Sequence, residues 1–393
     1  MNDLAYPHWK RFIYTIITIV SLTGCKQDAP PTRTSILPDT IAFNPATLKT
    51  KKEKEIYEKS KAFFEDQFRY APLNGGFLVA KDGKILFESY KGTVHLHQND
   101  TINMQTPLHI ASTSKTFTAM CVLRLAEKKL LNTDHDIKTY FPAFPYEGIT
   151  ITHLLNHRSG LANYMNVMNP KEWTNEKRVS NQDVLDFFVR QKPALQGTPG
   201  KQFAYCNTNY VLLALIIEKV SGRKYADFLK DEIFTPVGMR NTIVCNSDYQ
   251  KNHAPSYREN GNEEAITWLD DTYGDKNICS TPRDLLRWDQ ALYQHKLFSK
   301  QTTEAAFTPY SFEKKGINNY GLGWRMYVLG KKKKVIYHNG WWHGSNSSFF
   351  RLIDDRITII AIGNKMNKQI YKLKPLIESI SSVRFSNQEE DGL

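Results

Sequence analysis

Three short motifs stand in a fixed order along the chain: Ser112-Thr113-Ser114-Lys115, Tyr205-Cys206-Asn207 and His338-Asn339-Gly340. Together they hold the parts that acyl transfer needs: a nucleophilic hydroxyl beside a proton acceptor, a second polar pair, and a backbone edge along which a substrate can lie. At i, i+3 spacing on a helix, Ser112 Oγ and Lys115 Nζ share one face and come within reach of each other. A lysine at a dry helix start loses hydration and feels the positive end of the helix dipole. Both effects favour the neutral amine, which can accept the serine proton. The Ser112 N–H would point to where an oxyanion forms. Taken alone, the motif has a second reading, in which Ser112 merely caps the helix and Lys115 is a solvated first-turn lysine.

Context separates these motifs from chance matches. Ser-x-x-Lys recurs at Ser221 to Lys224 and at Ser311 to Lys314, and Tyr164-Met165-Asn166 repeats the second pattern. Between Phe117 and Ala126 only Thr118 and Arg124 are polar, so Ser112 opens a segment apolar nearly all round, the pattern of a helix buried through a core. Ser221 instead sits in a Ser-Gly-Arg helix stop, and Ser311 precedes a charged stretch broken by Gly316. Tyr205 lies between the turn cluster Gly197-Thr198-Pro199-Gly200 and the apolar run from Tyr210 to Ile217, at a loop-to-helix junction. His338 ends the β-rich run Val335-Ile336-Tyr337, which predicts a strand. For Tyr205 the plainer reading is a core-packing tyrosine, and for His338 an exposed strand histidine with Gly340 as a turn or bulge.

Read as an ordered set, these residues make the chain resemble the serine β-lactamase and penicillin-binding-protein superfamily, and in particular its class C β-lactamase-like branch of D-alanyl-D-alanine carboxypeptidases and esterases. The resemblance spans about residues 70 to 370. It also rests on the Asp82-Gly83 hairpin within residues 77–86, on His153-Leu154-Leu155-Asn156-His157-Arg158-Ser159-Gly160-Leu161, on residues 279–285, and on Tyr320-Gly321-Leu322-Gly323-Trp324. It implies Ser112 as the acylated nucleophile, Lys115 as its partner in proton transfer, and Tyr205 as the proton shuttle to the leaving group and to the deacylating water. Asn207 would bind the substrate's acyl amide, and His338, Asn339 and Gly340 would border the cleft. The Trp341 N–H would complete the oxyanion hole. Two positions depart from the usual pattern: Cys206 where serine or alanine is common, and His338 where β-lactamases carry lysine. The histidine points to D-peptidases and esterases, and to carboxylate binding that varies with pH near neutrality. Of Trp341 and Trp342, at least one should pack into the core, because neighbours on a strand face opposite ways.

The N-terminus carries a targeting pattern. Lys10 and Arg11 precede an apolar run from Phe12 to Leu22, and Leu22-Thr23-Gly24-Cys25 is similar to a bacterial lipobox. Residues 1–24 then read as a signal peptide, Cys25 as the lipidated residue, and residues 25–54, with Pro30, Pro31, Pro38 and Pro45, as a polar tether. The expected location is the cell envelope, membrane-anchored through Cys25. The formal net charge of +12 becomes +11 when Asp3, Lys10 and Arg11 leave with the signal. Such a basic surface suits anionic lipids or wall polymers, and export argues against nucleic acid as a partner. Lys51-Lys52 and the lysines at 331–334 read as a helix face and a hairpin tip. Cys121, Cys206, Cys245 and Cys279 include no Cys-x-x-Cys pair, so neither a metal site nor a disulfide framework is expected, and no cofactor. Cys121 reads as a small core residue. Gly-x-Ser-x-Gly, His-Glu-x-x-His and Gly-x-Gly-x-x-Gly are absent.

Roughly 340 residues remain for one domain, 55–386, with a polar tail at 387–393. The expected fold class is α+β: an antiparallel sheet from residues 70–92 and 320–364, flanked by an opening helix over 54–68 and a closing helix over 370–383, with a mainly helical region inserted. The segments 163–192 and 245–277 are expected around the cleft. The leading functional reading is a serine hydrolase acting on D-amino-acid peptides, β-lactams or small esters. The alternative is a catalytically weak penicillin- or peptidoglycan-binding or sensing protein.

Overall fold

Strand β1 (Gly75–Lys81) turns through Asp82 and Gly83, both at positive φ, into β2 (Lys84–Lys91), as an Asp-Gly hairpin requires. The computed structural model describes residues 42–173, 177–330 and 333–385. Short strands β3 (Leu108–His109), β4 (Ile243–Val244) and β5 (Ile278–Ser280) form a small sheet of their own. From the C-terminal part come β6 (Asn318–Tyr320), β7 (Arg325–Leu329), β8 (Lys333–Trp342), β9 (Ser345–Leu352) and β10 (Ile357–Gly363). The large sheet runs β2-β1-β10-β9-β8-β7-β6, and neighbouring strands are antiparallel. Both ends of the chain thus build one sheet, giving the expected α+β class.

Helix α1 (Lys51–Gln67) precedes the sheet; α2 (Lys115–Glu127), α3 (Asn181–Gln191), α4 (Asn207–Ser221) and α5 (Pro282–Gln294) lie in the insert; α6 (Lys374–Ile380) follows the sheet. Alternate residues of each strand serve two cores. Phe77, Val79, Val335, Tyr337, Phe350 and Ile359 pack with Ile56 and Phe64 of α1 and Leu376 and Ile377 of α6. Leu78, Ala80, Ile336, Phe349 and Ile360 pack with Phe117 and Met120 of α2, Leu213 of α4 and Trp288 of α5. Covering both faces explains why these antiparallel strands read as nearly continuous apolar runs. In α2 every residue from Lys115 to Leu123 is buried, as its sequence demands.

Several boundaries differ from expectation. Helix α1 begins at Lys51, because Thr50 and Glu53 form a capping box, and Phe43 N–H donates to Glu88 Oε1 (3.1 Å), so residues 42–54 of the expected tether are folded against the domain. The single closing helix over 370–383 is instead a 3₁₀ turn (Lys368–Tyr371) followed by α6; Pro375, lacking an N–H, sits in the first turn of α6, where a helix starts rather than continues. The signal, Cys25, the tail at 387–393 and part of the lysine run at 331–334 lie outside the described residues.

One buried ion pair ties the layers together. Arg351 Nε of β9 donates to Asp289 Oδ1 of α5 (2.5 Å), and Thr358 of β10 donates to Asp289 Oδ2 (2.7 Å). Both ionic side chains are essentially without solvent contact. Arg351→Met is expected to destabilise the protein by about 3–5 kcal/mol in denaturant unfolding, because it leaves the carboxylate buried and unpaired. Adding Asp289→Leu should recover most of that loss.

Candidate active site

The start of α2 is held from several sides. Leu108 and His109 pair with Ser280 and Cys279, Ile110 N–H donates to the Ile278 carbonyl (2.9 Å), and Ile278 N–H donates to Ser114 Oγ (3.1 Å). His109 Nδ1 takes the Ala111 N–H (3.2 Å), and Ala111 sits at φ +47, a strained conformation immediately before the nucleophile candidate. Ser112 then lies in a 3₁₀ turn (Ala111–Ser114) leading into α2; it is half-buried, while Lys115 is fully buried.

Lys115 Nζ lies 3.1 Å from Ser112 Oγ and donates to the Asp275 carbonyl (2.7 Å). It also sits 5.0 Å from the centre of the Tyr205 ring and 5.6 Å from that of Tyr210. The first two motifs are therefore brought together around Lys115 Nζ. Asn207 is the first residue of α4, and its Nδ2 lies 3.4 Å from Met165 Sδ, which draws the 163–192 segment to the site. Cys206 is buried, with Sγ 3.5 Å from the Ala162 carbonyl, so the departure at that position is turned into the core.

The third motif runs along β8, and Gly340 faces the nucleophile. A side chain there would meet the Ile110 carbonyl at 2.2 Å and Ser347 Oγ at 2.5 Å, with Ser112 N at 3.1 Å, so only glycine lets the strand approach the candidate oxyanion donor. Asn339 points to the opposite face, within hydrogen-bond distance of Ser348 Oγ (3.0 Å), so its side chain does not border the cleft as expected. The tryptophan expectation fails too. Trp341 is 66 % exposed, and Trp342 is half-buried, its ring 4.6 Å from Lys276 Nζ. They lie at the end of β8, just before His343 turns the chain at φ +51, and each indole N–H finds an acceptor, Trp341 in the His343 carbonyl (2.8 Å) and Trp342 in Asp270 Oδ1 (2.5 Å).

His338 corrects the expectation of a titrating carboxylate ligand. Its side chain is fully buried, with Nδ1 2.7 Å from the Asn339 carbonyl and Nε2 3.2 Å from the Tyr320 hydroxyl. That arrangement places the proton on Nδ1 and leaves Nε2 as acceptor. Burial first, then the Arg325 and Lys115 charges, hold its pKa well below the ordinary histidine value. The cation near the cleft is Arg325, which the sequence reading missed. It is half-buried, its guanidinium lies 5.0 Å from the Tyr205 ring centre, and it has no ion-pair partner among the described residues. A signal was present: one arginine inside the otherwise apolar Trp324 to Val328.

Asp275 and Lys276 were also missed. The Asp275 carboxylate accepts from Tyr164 OH (3.0 Å) and from Lys276 Nζ (3.4 Å), while its carbonyl holds Lys115. Burial pushes the Lys276 ammonium below the ordinary lysine value against the pull of Asp275. Deeper in the same segment, Asp270 is held at about 2: burial alone would raise it, but His343, Thr267 and Trp342 donate to it. Thus the 245–277 segment reaches the site through Asp275.

Three fully buried histidines set a pH dependence. Burial brings His109 down to about 4 and drives His157 and His338 well below the ordinary value. Below the unfolded value of about 6.5, the unfolded chain takes up protons that the native imidazoles refuse. Stability is therefore complete above roughly pH 6.5 and falls with acidification, by up to about 1.4 kcal/mol per pH unit for each histidine. Denaturant unfolding followed from about pH 8 to about pH 5 checks this; a flat profile would contradict imidazoles held neutral by burial.

Comparison with known proteins identifies the family. The Beta-lactamase family model matches residues 64–376. The chain is 34% identical over 341 residues to penicillin-binding protein 4* of Bacillus subtilis, covering 83% of this chain and 74% of that protein. It is 25% identical over 339 residues to a D-aminopeptidase of Brucella anthropi, covering 82% of this chain and 64% of that one. Among solved structures, a penicillin binding protein from Bacillus halodurans superposes with a TM-score of 0.71 at 23% identity, over 82% of this chain and 99% of that chain. The D-amino acid amidase from Ochrobactrum anthropi SV3 does so with 0.68 at 22% identity, over 84% and 97%. The chain belongs to the Beta-lactamase family, within the serine β-lactamase and penicillin-binding-protein superfamily.

Proposed function

We propose that this protein is a class C-like serine hydrolase that forms an acyl-enzyme on Ser112 and releases it to water, acting on D-amino-acid peptides that carry a free carboxylate. The observation that carries the reading is the 3.1 Å separation of Ser112 Oγ and Lys115 Nζ, with the Tyr205 ring packed on the same amine. In acylation the Ser112 proton passes to Lys115 or Tyr205 as Oγ bonds to the carbonyl carbon. The negative oxygen sits against the N–H groups of Ser112 and Trp341. Collapse breaks the C–N bond, and the leaving nitrogen takes its proton from Tyr205. Water, deprotonated by the same groups, then attacks the ester and restores Ser112. Asn207 binds the acyl amide, and the His338 to Trp341 edge lines the other side.

The carboxylate preference follows from Arg325. A half-buried guanidinium without a carboxylate partner is suited to an anionic group of a ligand, while a neutral His338 is not. The D-peptide class is supported by the D-aminopeptidase and penicillin-binding relatives. We also read Cys25 as a lipid anchor in the cell envelope; Cys25→Ser is expected to move the protein from the membrane to the soluble fraction.

Intact mass of the protein after a pulse of penicillin, and release of D-alanine from a D-alanyl-D-alanine peptide, test the function. Ser112→Ala should lose both the adduct and turnover, by several orders of magnitude for turnover, as expected for a missing nucleophile. Arg325→Met should raise KM for the carboxylate peptide while leaving hydrolysis of a neutral ester nearly intact. A Ser112→Ala protein as active as the parent would overturn the reading, and a stable adduct without release would identify a binding or sensing protein instead.

A further inference from the structure

The segment from His153 to Leu161 is a conspicuous motif that the proposed chemistry leaves unused, and at its centre is His157. This residue is fully buried at φ +56, directly beyond the helix Ile151–Leu155. Several of its contacts are made with the second motif and its immediate neighbours. Its carbonyl accepts the Ala204 N–H (2.8 Å), and its Nδ1 accepts the Cys206 N–H (3.1 Å). Cys206 is the N-cap of α4 and makes no side-chain cap bond of its own. The imidazole ring packs 4.3 Å from the Tyr205 ring, 4.8 Å from Tyr320 and 5.1 Å from Tyr210, measured between centres.

The protonation state follows from the partners. Asn209 Oδ1 accepts from Ser159 Oγ (2.6 Å), which turns its amide so that Nδ2 faces His157 Nδ1 at 3.2 Å. With two N–H groups aimed at it, Nδ1 must carry the lone pair, and the proton sits on Nε2. Nε2 is buried among the aromatic rings, without a hydrogen-bond partner among the described residues. A second proton would destroy both contacts at Nδ1, and burial opposes it before the Lys115 and Arg325 charges add to the effect.

We propose that His157 is the positioning residue for Tyr205, fixing the peptide between Tyr205 and Asn207 through Nδ1 and the Tyr205 ring through a tilted ring contact. This rests on the reading of Ser112, Lys115 and Tyr205 as one acylating unit. His157 touches neither Ser112 nor a substrate; it acts through Tyr205. A ring that must present its hydroxyl to a reacting nitrogen is sensitive to small displacements, and an error of about 1 Å can cost about 100-fold. The left-handed backbone at residue 157 lets one residue supply both the carbonyl to Ala204 and the ring to Tyr205.

The test is a double-mutant cycle on acylation of Ser112 by penicillin, whose ring nitrogen takes a proton as its amide opens, read as the rate of mass gain of the intact protein. His157→Phe keeps a ring but loses the acceptor, and is expected to slow acylation about 10- to 100-fold. In a Tyr205→Phe background the same change should alter the rate by less than about twofold, because its effect runs through the lost hydroxyl. A role confined to stability would lower the melting temperature but leave acylation by the folded fraction unchanged. Acylation at the parent rate by His157→Phe overturns the proposal, as does a loss repeated in full in the Tyr205→Phe background. If phenylalanine is not tolerated at positive φ, His157→Asn enters the same cycle. Asparagine accepts that conformation and can offer an acceptor to Cys206, so its loss should be smaller and again absent without the Tyr205 hydroxyl. A parent protein that is not labelled on Ser112, or a Tyr205→Phe protein as fast as the parent, defeats the underlying reading and the inference with it, and each is visible before any His157 variant is compared.

Discussion

The structure is organised around the burial of one lysine amine. Lys115 is placed at the start of a helix that runs through the core, where water cannot solvate its charge, and such burial is costly unless the charge is bonded or given up. Its neighbours answer that constraint. The Asp275 carbonyl takes one N–H, Ser112 Oγ lies at hydrogen-bond distance, and the faces of Tyr205 and Tyr210 close the remaining sides. These partners come from separate stretches of the chain, so the lysine draws the loop before β5 and the start of α4 to the start of α2. The strain at Ala111 and the glycine at residue 340 serve the same end, letting the α2 start and β8 approach where ordinary residues would collide.

Around that centre the charges are segregated. Lys276 and Asp275 form a buried pair behind Lys115, and Asp270 engages the end of β8 through Trp342 and His343. On the other side, Arg325 lies over Tyr205, with the neutral imidazoles of His157 and His338 close by. Aromatic rings and neutral imidazoles therefore stand between the Lys115 amine and the Arg325 guanidinium. This arrangement explains why histidine at the head of the third motif does not behave as a weaker lysine: it is a packed hydrogen-bonding group, and the positive charge is carried by another strand.

Much of this was legible in the sequence because local signals and the global fold agree. The apolar run after Ser112, the Asp-Gly hairpin and the β-rich stretch before His338 each specify an element, and the order of the motifs supplies the topology. What escaped was tertiary. The depth of His338 depends on Tyr320 and on the helices over β8, so a strand pattern could not give its titration. Asn339 was placed at the cleft by its motif, yet the two-residue period of β8 turns it to the other core. Arg325, Asp275 and His157 act through a guanidinium, a carbonyl and a ring face, whose partners lie far away in sequence. The break in the closing helix, by contrast, was written in Pro375 and could have been read from it.

The strand order has a consequence for how the protein comes into being. Strand β10 lies between β1 and β9, so the hairpin formed by the first strands has an unpaired edge until residue 363 has been synthesised. Nearly three hundred residues of insert and sheet must wait for that edge to close, with the long-range contacts that make folding slow. Until then the ribosome-bound chain presents a bare apolar strand, the kind of surface that seeks any partner. A chain interrupted before β10 would accordingly be a target for chaperones or proteases, and the cleft, whose wall β8 is registered through β9 to β10, becomes complete only in the last stage of folding.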